Sequence, residues 1–255
     1  MTDHVVADIA DGILAIRLNR PDKKNALTVA MYAALADALE RADAEGTVRV
    51  VTLTGSADSF TSGNDIVDFM QQKPTLGEAP VSRFLRVIAT ASKPLIAAVN
   101  GLAVGVGVTM LLHCDLVYAA DTATFQLPFV NLGLVPEAAS TLLLPRLVGH
   151  QRASELMLFG EKFDAATARA LGLVNAVHPP AALATAVRER AELLAGKAPS
   201  SVRLTKALLK SETTGVAARM AEESAHFAKQ LQSPEAQEAF GAFLQRRKPD
   251  FSRFS

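Results

Sequence analysis

Tryptophan is absent from this chain of 255 residues, tyrosine occurs only at Tyr32 and Tyr118, and cysteine only at Cys114. One thiol excludes an intramolecular disulfide framework and a thiolate metal cluster. It lies in an apolar run, where an inert, buried sulfur is the expected state. With so few large aromatics, a base-stacking platform is not expected. Net charge is lacking too: 26 basic residues balance 26 acidic ones, leaving no field that would favour nucleic acid or an anionic membrane. The amino-terminal "MTDHVVADIADG" has neither the basic start nor the apolar core of a secretory leader. The longest uncharged stretch, 94–114, is broken by Asn100, three glycines and His113. It reads as a strand, a turn and a buried helix rather than a membrane span. No His, Asp and Glu grouping has metal-ligand spacing, so no metal is expected.

What is present is a large apolar complement, 49% of the residues, enough for a substantial core. Apolar residues at 4–9 and 13–18 flank "DG", the mark of a hairpin. Leu35, Ala38, Leu39 and Ala42 recur at helical spacing within a helix expected over about 28–45. "VRVVTLTG" at 48–55 and "KPLIAAVNG" at 93–101 read as buried strands. Helices are expected near 64–72 and 80–91, and "VGVGVTMLLH" as a helix packed on the second strand. "CDLVYAA" and "ATFQL" supply two further strands, and Pro136 is expected to start a helix running to about Leu147. Beyond Gly149 helices dominate, with one strand-like patch, "LVNAVH", at 173–178. From about 198 the pattern is helical throughout. Alternating strands and helices followed by helices indicate an α/β core over 1–197 and a helical carboxy-terminal region over 198–255.

Three places invite chemistry. From Thr122 to Pro145 the only formally charged side chain is Glu137, set after Pro136 and before Ala138, Ala139 and Ser140. At Gly63, Asn64 and Asp65 a loop opens a helix, so outward-pointing N–H groups are available to a ligand or to a capping side chain. In "NGLAVGVGVTM", Gly101, Gly105 and Gly107 let backbone approach a ligand or let a helix pack closely on a sheet. Measured from Gly105, the sixth position of a dinucleotide fingerprint is Met110, which argues against a nicotinamide site. There is no G-x-S-x-G turn for a serine hydrolase. Two helix starts donating N–H groups, with one carboxylate in a dry pocket, suit proton abstraction beside a thioester carbonyl. His113, in the apolar helix, is expected to be core.

The segments "LNRPDKKNAL", "FTSGNDI", "KPLIAAVNGLAVGVGVTMLLHCDLVYAAD", "ATFQLPFVNLGLVPEAAS", "ARALGLVNAVH" and "FLQRRKPDF" follow one another in an order and spacing that resemble the crotonase (enoyl-CoA hydratase/isomerase) superfamily along nearly the whole chain. The resemblance implies a spiral of ββα turns, a carboxy-terminal helical region that forms a trimer or a dimer of trimers, and an acyl-CoA thioester as substrate, coenzyme A being part of that substrate and no separate cofactor being needed. It puts the oxyanion donors on the backbone N–H groups of Asn64 and Val106, and the adenine end of the ligand at Ser62, Asn64 and Ile66. Asp65 either caps the following helix or orients the loop. Lys23 and Lys24 precede a helix where the family has a phosphate-contacting basic residue; ordinary solvated lysines fit the sequence equally. Arg246, Arg247 and Lys248 form a basic patch that either reaches a coenzyme A phosphate or ends a charged helix.

The glutamates that hydratases of the family use fall here on Thr109 and Phe129, neither able to do acid–base work at neutral pH. Glu137 remains. "FTSGND" and "PFVNLGLVPEAAS" look like the peroxisomal-type Δ3,Δ2-enoyl-CoA isomerases, in which one glutamate after this proline is the base. The implied activity is isomerisation of 3-enoyl-CoA to 2-trans-enoyl-CoA. The alternatives are a lyase or hydratase using other residues, and a non-catalytic acyl-CoA-binding protein. The ending "FSRFS" is not a peroxisomal address, so the expected setting is cytoplasmic.

Overall fold

Asp11 and Gly12 both take positive φ, 53° and 78°, the backbone of a type I′ turn. They close the expected hairpin, β1 (Val5–Ala10) antiparallel to β2 (Ile13–Leu18). The computed structural model describes residues 3–70, 79–211 and 215–254. After β2 come α1 (Val29–Ala44), β3 (Val50–Thr54), β4 (Ser59–Thr61), α2 (Ile66–Met70) and α3 (Pro80–Thr90). Next are β5 (Leu95–Val99), β6 (Leu102–Val104) and α4 (Val106–Thr109), which tightens into a 3-10 turn at Met110–His113. Then follow β7 (Leu116–Ala120), β8 (Thr124–Gln126), α5 (Ser140–Val148), α6 (His150–Phe159) and β9 (Phe163–Asp164). The chain ends with α7 (Ala165–Ala170), β10 (Ala176–His178), α8 (Pro180–Ala195), α9 (Pro199–Ser211), α10 (Val216–Leu231) and α11 (Pro234–Leu244). The helix expected near 64–72 starts at Ile66, and its positions 71–72 lie outside the described residues.

Two sheets result. One has the order β1-β2-β3-β5-β7-β10, the other β4-β6-β8-β9. Successive strands alternate between them: β3 then β4, β5 then β6, β7 then β8. Each pair is one turn of a spiral, stacked in parallel on the turn before. This is the expected α/β spiral of ββα turns. In β2 the exposed Ala15 and Arg17 alternate with buried Leu14, Ile16 and Leu18, the period of a strand with one solvated face. Every residue of β5 is buried, as in a central parallel strand. Phe84, Leu85, Val87 and Ile88 turn one face of α3 into the core, where the Phe84 ring lies 5.4 Å from that of Tyr32 on α1.

Helix α9 is tied to this core by two cations, Lys206 buried and Lys210 half-buried. Lys206 on α9 pairs with Asp115 at 2.7 Å and donates to the Lys93 carbonyl, while Lys210 donates to the His113 carbonyl. Each ammonium is desolvated but partnered, the condition under which a buried lysine is tolerated. Among the described residues no helix is long and apolar enough to cross a membrane.

Candidate active site

The parallel pairing of β4 with β6 aligns Ser59 with Leu102 and Thr61 with Ala103, so both strands end on the same side. Three residues past β4 lies Asn64, and two past β6 lies Val106. The neighbours of Asn64 are committed: Leu27 N–H donates to the Gly63 carbonyl and Asp65 N–H to the Leu27 carbonyl. Gly105, with φ of 56°, donates its N–H to Gln126 and accepts from Val108 and Thr109, starting α4. The N–H groups of Asn64 and Val106 themselves find no acceptor among the described residues. Gly107 serves packing: a Cβ there would come within 2.6 Å of the Thr61 side chain, so only hydrogen lets α4 lie this close to β4.

Glu137 is 6% exposed, and its Oε1 has no hydrogen-bond partner among the described residues. Burial, reinforced by the charge of Glu223, raises its pKa to about 8. The helix expected from Pro136 begins instead at Ser140, because Ala138 and Ala139 are left-handed, with φ of 63° and 54°. Each such alanine costs about 1 kcal/mol, so the conformation is imposed from outside the loop. His113 donates Nε2–H to the Ala138 carbonyl at 2.8 Å. Glu223, on α10, accepts from the Ala139 and Thr141 amides at 2.6 and 2.9 Å and from the Thr141 hydroxyl. Glu137 therefore precedes the helix, on a strained loop, rather than occupying its first turn.

Tyr32 bonds the Asn64 side chain and feels the charge of Glu137. Its hydroxyl donates to Asn64 Oδ1, and burial together with the Glu137 charge holds its proton on well above the usual phenol range. The Asn64 side chain is thus held by a hydrogen bond of its own. Asp65 both caps and orients: Oδ1 accepts from the Val67 and Asp68 amides, and Oδ2 pairs with Arg20 at 2.7 Å. Burial alone would raise the Asp65 pKa, but the Arg20 hydrogen bond and the capping amides keep it lowered.

An open cleft of about 670 Å³ runs past Ser62, Asn64, Asp65 and Ile66, with Arg20 and Lys23 on one wall and Phe243 and Leu244 on another. Three of the expected ligand residues, Ser62, Asn64 and Ile66, therefore share one surface, and Asp65 joins them. Lys24 does not line this cleft; its exposed ammonium pairs with Asp58 at 2.8 Å, and Lys23 occupies the wall instead. Of the carboxy-terminal basic patch, Arg247 is held by Glu238, which also binds Arg253 and the Asp250 amide. The Arg247 hydrogen bond leads the contacts that lower the Glu238 pKa to about 2. Among the described residues no three His, Cys, Asp or Glu side chains group as a metal site.

His113 is buried, as expected, and stays neutral because burial lowers its pKa to about 4. Cys114 is half-buried rather than fully buried, and desolvation of its thiol pushes its pKa up to about 12, away from reactivity. Tyr32 and Glu223 are the contributors that sequence reading passes over. The trace of Glu223 is there: it stands in the stripe of Val216, Met220, Phe227 and Leu231, a carboxylate where helical spacing calls for an apolar residue.

Comparison with known proteins gives the family of this fold. The family model for enoyl-CoA hydratase/isomerase matches residues 8–253. Enoyl-CoA delta isomerase 2 of Rattus norvegicus is 40% identical over 205 residues, 78% of this chain and 52% of the relative, so the chain spans about half the length of that protein. The 2,3-dehydroadipyl-CoA hydratase of Escherichia coli K12 is 36% identical over 242 residues, 94% of each chain. The crystal structure of an enoyl-CoA hydratase/isomerase from Pseudoalteromonas atlantica T6c superposes with a TM-score of 0.94 at 44% identity, covering 98% of this chain and 100% of the other. With two sheets wound in the same spiral and a sequence match from the first strand to the tail, the chain belongs to the enoyl-CoA hydratase/isomerase family, the crotonase superfamily.

Proposed function

We propose that the protein converts 3-enoyl-CoA into 2-trans-enoyl-CoA, with Glu137 as the single proton shuttle. The carboxylate removes a proton from C2 of the thioester, and the electrons move onto the thioester oxygen as a dienolate. The N–H groups of Asn64 and Val106 stabilise that oxygen. The newly formed carboxylic acid returns the proton at C4, leaving the double bond between C2 and C3 and the enzyme unchanged. No water, metal or redox partner enters the balance. The cleft beside Ser62, Asn64, Asp65 and Ile66 would hold the coenzyme A portion.

The observation that carries this reading is the state of Glu137: buried, one oxygen unpartnered among the described residues, and with a proton affinity raised to about 8. A base whose pKa lies near the working pH can both take and return a proton. Thr109 and Phe129, buried at the positions of the hydratase glutamates, offer no second acid or base. The E. coli hydratase relative favours hydration as the second reading. Against it, Glu223, the carboxylate whose charge acts on Glu137, is already occupied by two amides and a hydroxyl.

The trimer belongs to the same proposal, with the exposed Leu204, Leu208 and Leu209 of α9 as its candidate contact surface; so does the cytoplasmic setting. Supplied with 3-enoyl-CoA, the wild-type protein is expected to form the conjugated product, and Glu137→Gln to lose that activity while still binding the ligand. Hydration of 2-enoyl-CoA at comparable efficiency, or turnover retained in Glu137→Gln, would refute it.

A further inference from the structure

We infer that Glu223 is a positioning residue for Glu137: its carboxylate, delivered by α10, clamps the start of α5 and thereby fixes where the Glu137 side chain points. This rests on the reading of Glu137 as the base. The start of α5 needs such a clamp. Its capping position is Ala139, which has no side-chain acceptor, and the first amides of a helix are otherwise left without partners. Glu223 takes the Ala139 and Thr141 amides and the Thr141 hydroxyl together. A negative charge is also favourable at that end of a helix. His113 holds the same loop from the other side through the Ala138 carbonyl. Two consecutive left-handed alanines are thus pinned on both faces, one residue from the catalytic side chain.

The clamp also acts through its charge. Two groups face Glu137 electrostatically, Glu223 from α10 and Tyr32 from α1. Arg219, one turn earlier on α10, partly offsets Glu223, whose own pKa is raised by burial. His113 is neutral, and Lys210 helps to keep it so. Removing the Glu223 charge while keeping its shape should therefore make Glu137 a stronger acid and leave its loop loosely held.

The test is a carboxyl titration by carbon NMR on glutamate-labelled protein, with the Glu137 signal identified by its loss in Glu137→Gln, alongside isomerase kinetics. In Glu223→Gln the Glu137 midpoint is expected to fall by about one unit. Turnover should drop by about tenfold or more with KM changed less than about twofold, since a small displacement of a reacting group is costly. Glu223→Asp keeps the charge but shortens the arm, so its midpoint should stay near the wild-type value while turnover still falls. It also provides the test if Glu223→Gln does not fold. An unmoved midpoint in Glu223→Gln, or full turnover in Glu223→Asp, overturns the inference. If the wild-type protein shows no isomerase activity at all, the proposed function fails, and the midpoint comparison still decides the clamp.

Discussion

Glu137→Gln should make the protein more stable, by an amount that depends on pH. The folded carboxyl has a pKa of about 8 against an ordinary 4.5. A raised acid favours the folded state only while it stays protonated. Below about pH 4.5 both states hold the proton and the group contributes nothing to the pH dependence. As pH rises, the unfolded chain releases the proton and the folded chain does not, so stability is lost until the pH passes the folded value. Each unit is worth about 1.4 kcal/mol, so the loss reaches about 3 kcal/mol near pH 7 and about 5 kcal/mol above pH 8. Glutamine, of the same shape and uncharged, escapes the penalty. Denaturant unfolding of both proteins across this range is the assay, and the difference between them cancels the other titrating groups. Near pH 7 the variant should melt roughly 5–10 °C higher, the gap closing near pH 4.5. Two unfolding curves that run parallel across the range would mean that Glu137 keeps an ordinary carboxyl pKa in the fold, and the mechanism would lose the matched proton affinity on which it rests.

Val106→Pro removes the second oxyanion N–H at a helix position that tolerates proline, so steady-state isomerisation should fall by about 10²–10³, whereas Val106→Ala should stay within a few-fold. Tyr32→Phe strips the donor from Asn64 Oδ1; urea unfolding should show a loss of about 1–2 kcal/mol. His113 is depressed to about 4 from 6.5, so its contribution is complete above about pH 6.5 and fades as pH falls through 4, by up to about 3 kcal/mol. In His113→Gln that acid-side slope should flatten, as denaturant titrations at several pH values would record. Asp65→Ala loses the cap of α2 and the partner of Arg20, an expected cost of about 1–2 kcal/mol in the same assay.

The longer elements are legible because their signals are local. A "DG" turn, the apolar stripe of α1 and the fully apolar β5 each announce themselves within a few residues. The three-residue strands β4 and β6 are too short for a period-2 pattern, and both run into glycine turns that read as loop. They form because parallel neighbours receive them, a condition no window of sequence contains. The start of α5 was misplaced for the same reason. Proline followed by glutamate and two alanines is a good local helix start. The distant partners that hold those alanines are His113 and, at 84 positions' remove, Glu223. Glu137 itself is visible as a lone charge in an apolar segment, whereas nothing local marks Tyr32.

The order in which the spiral delivers its parts has a consequence for the newly made chain. Asn64 comes with the first turn and Val106 with the second, Glu137 follows the third, and Glu223 arrives only with α10. A ribosome releasing this protein from its amino terminus exposes both amides well before the acid is held in place. Under the proposed mechanism half-made chains would be silent toward thioesters, and chemical competence would come only when the last helices dock.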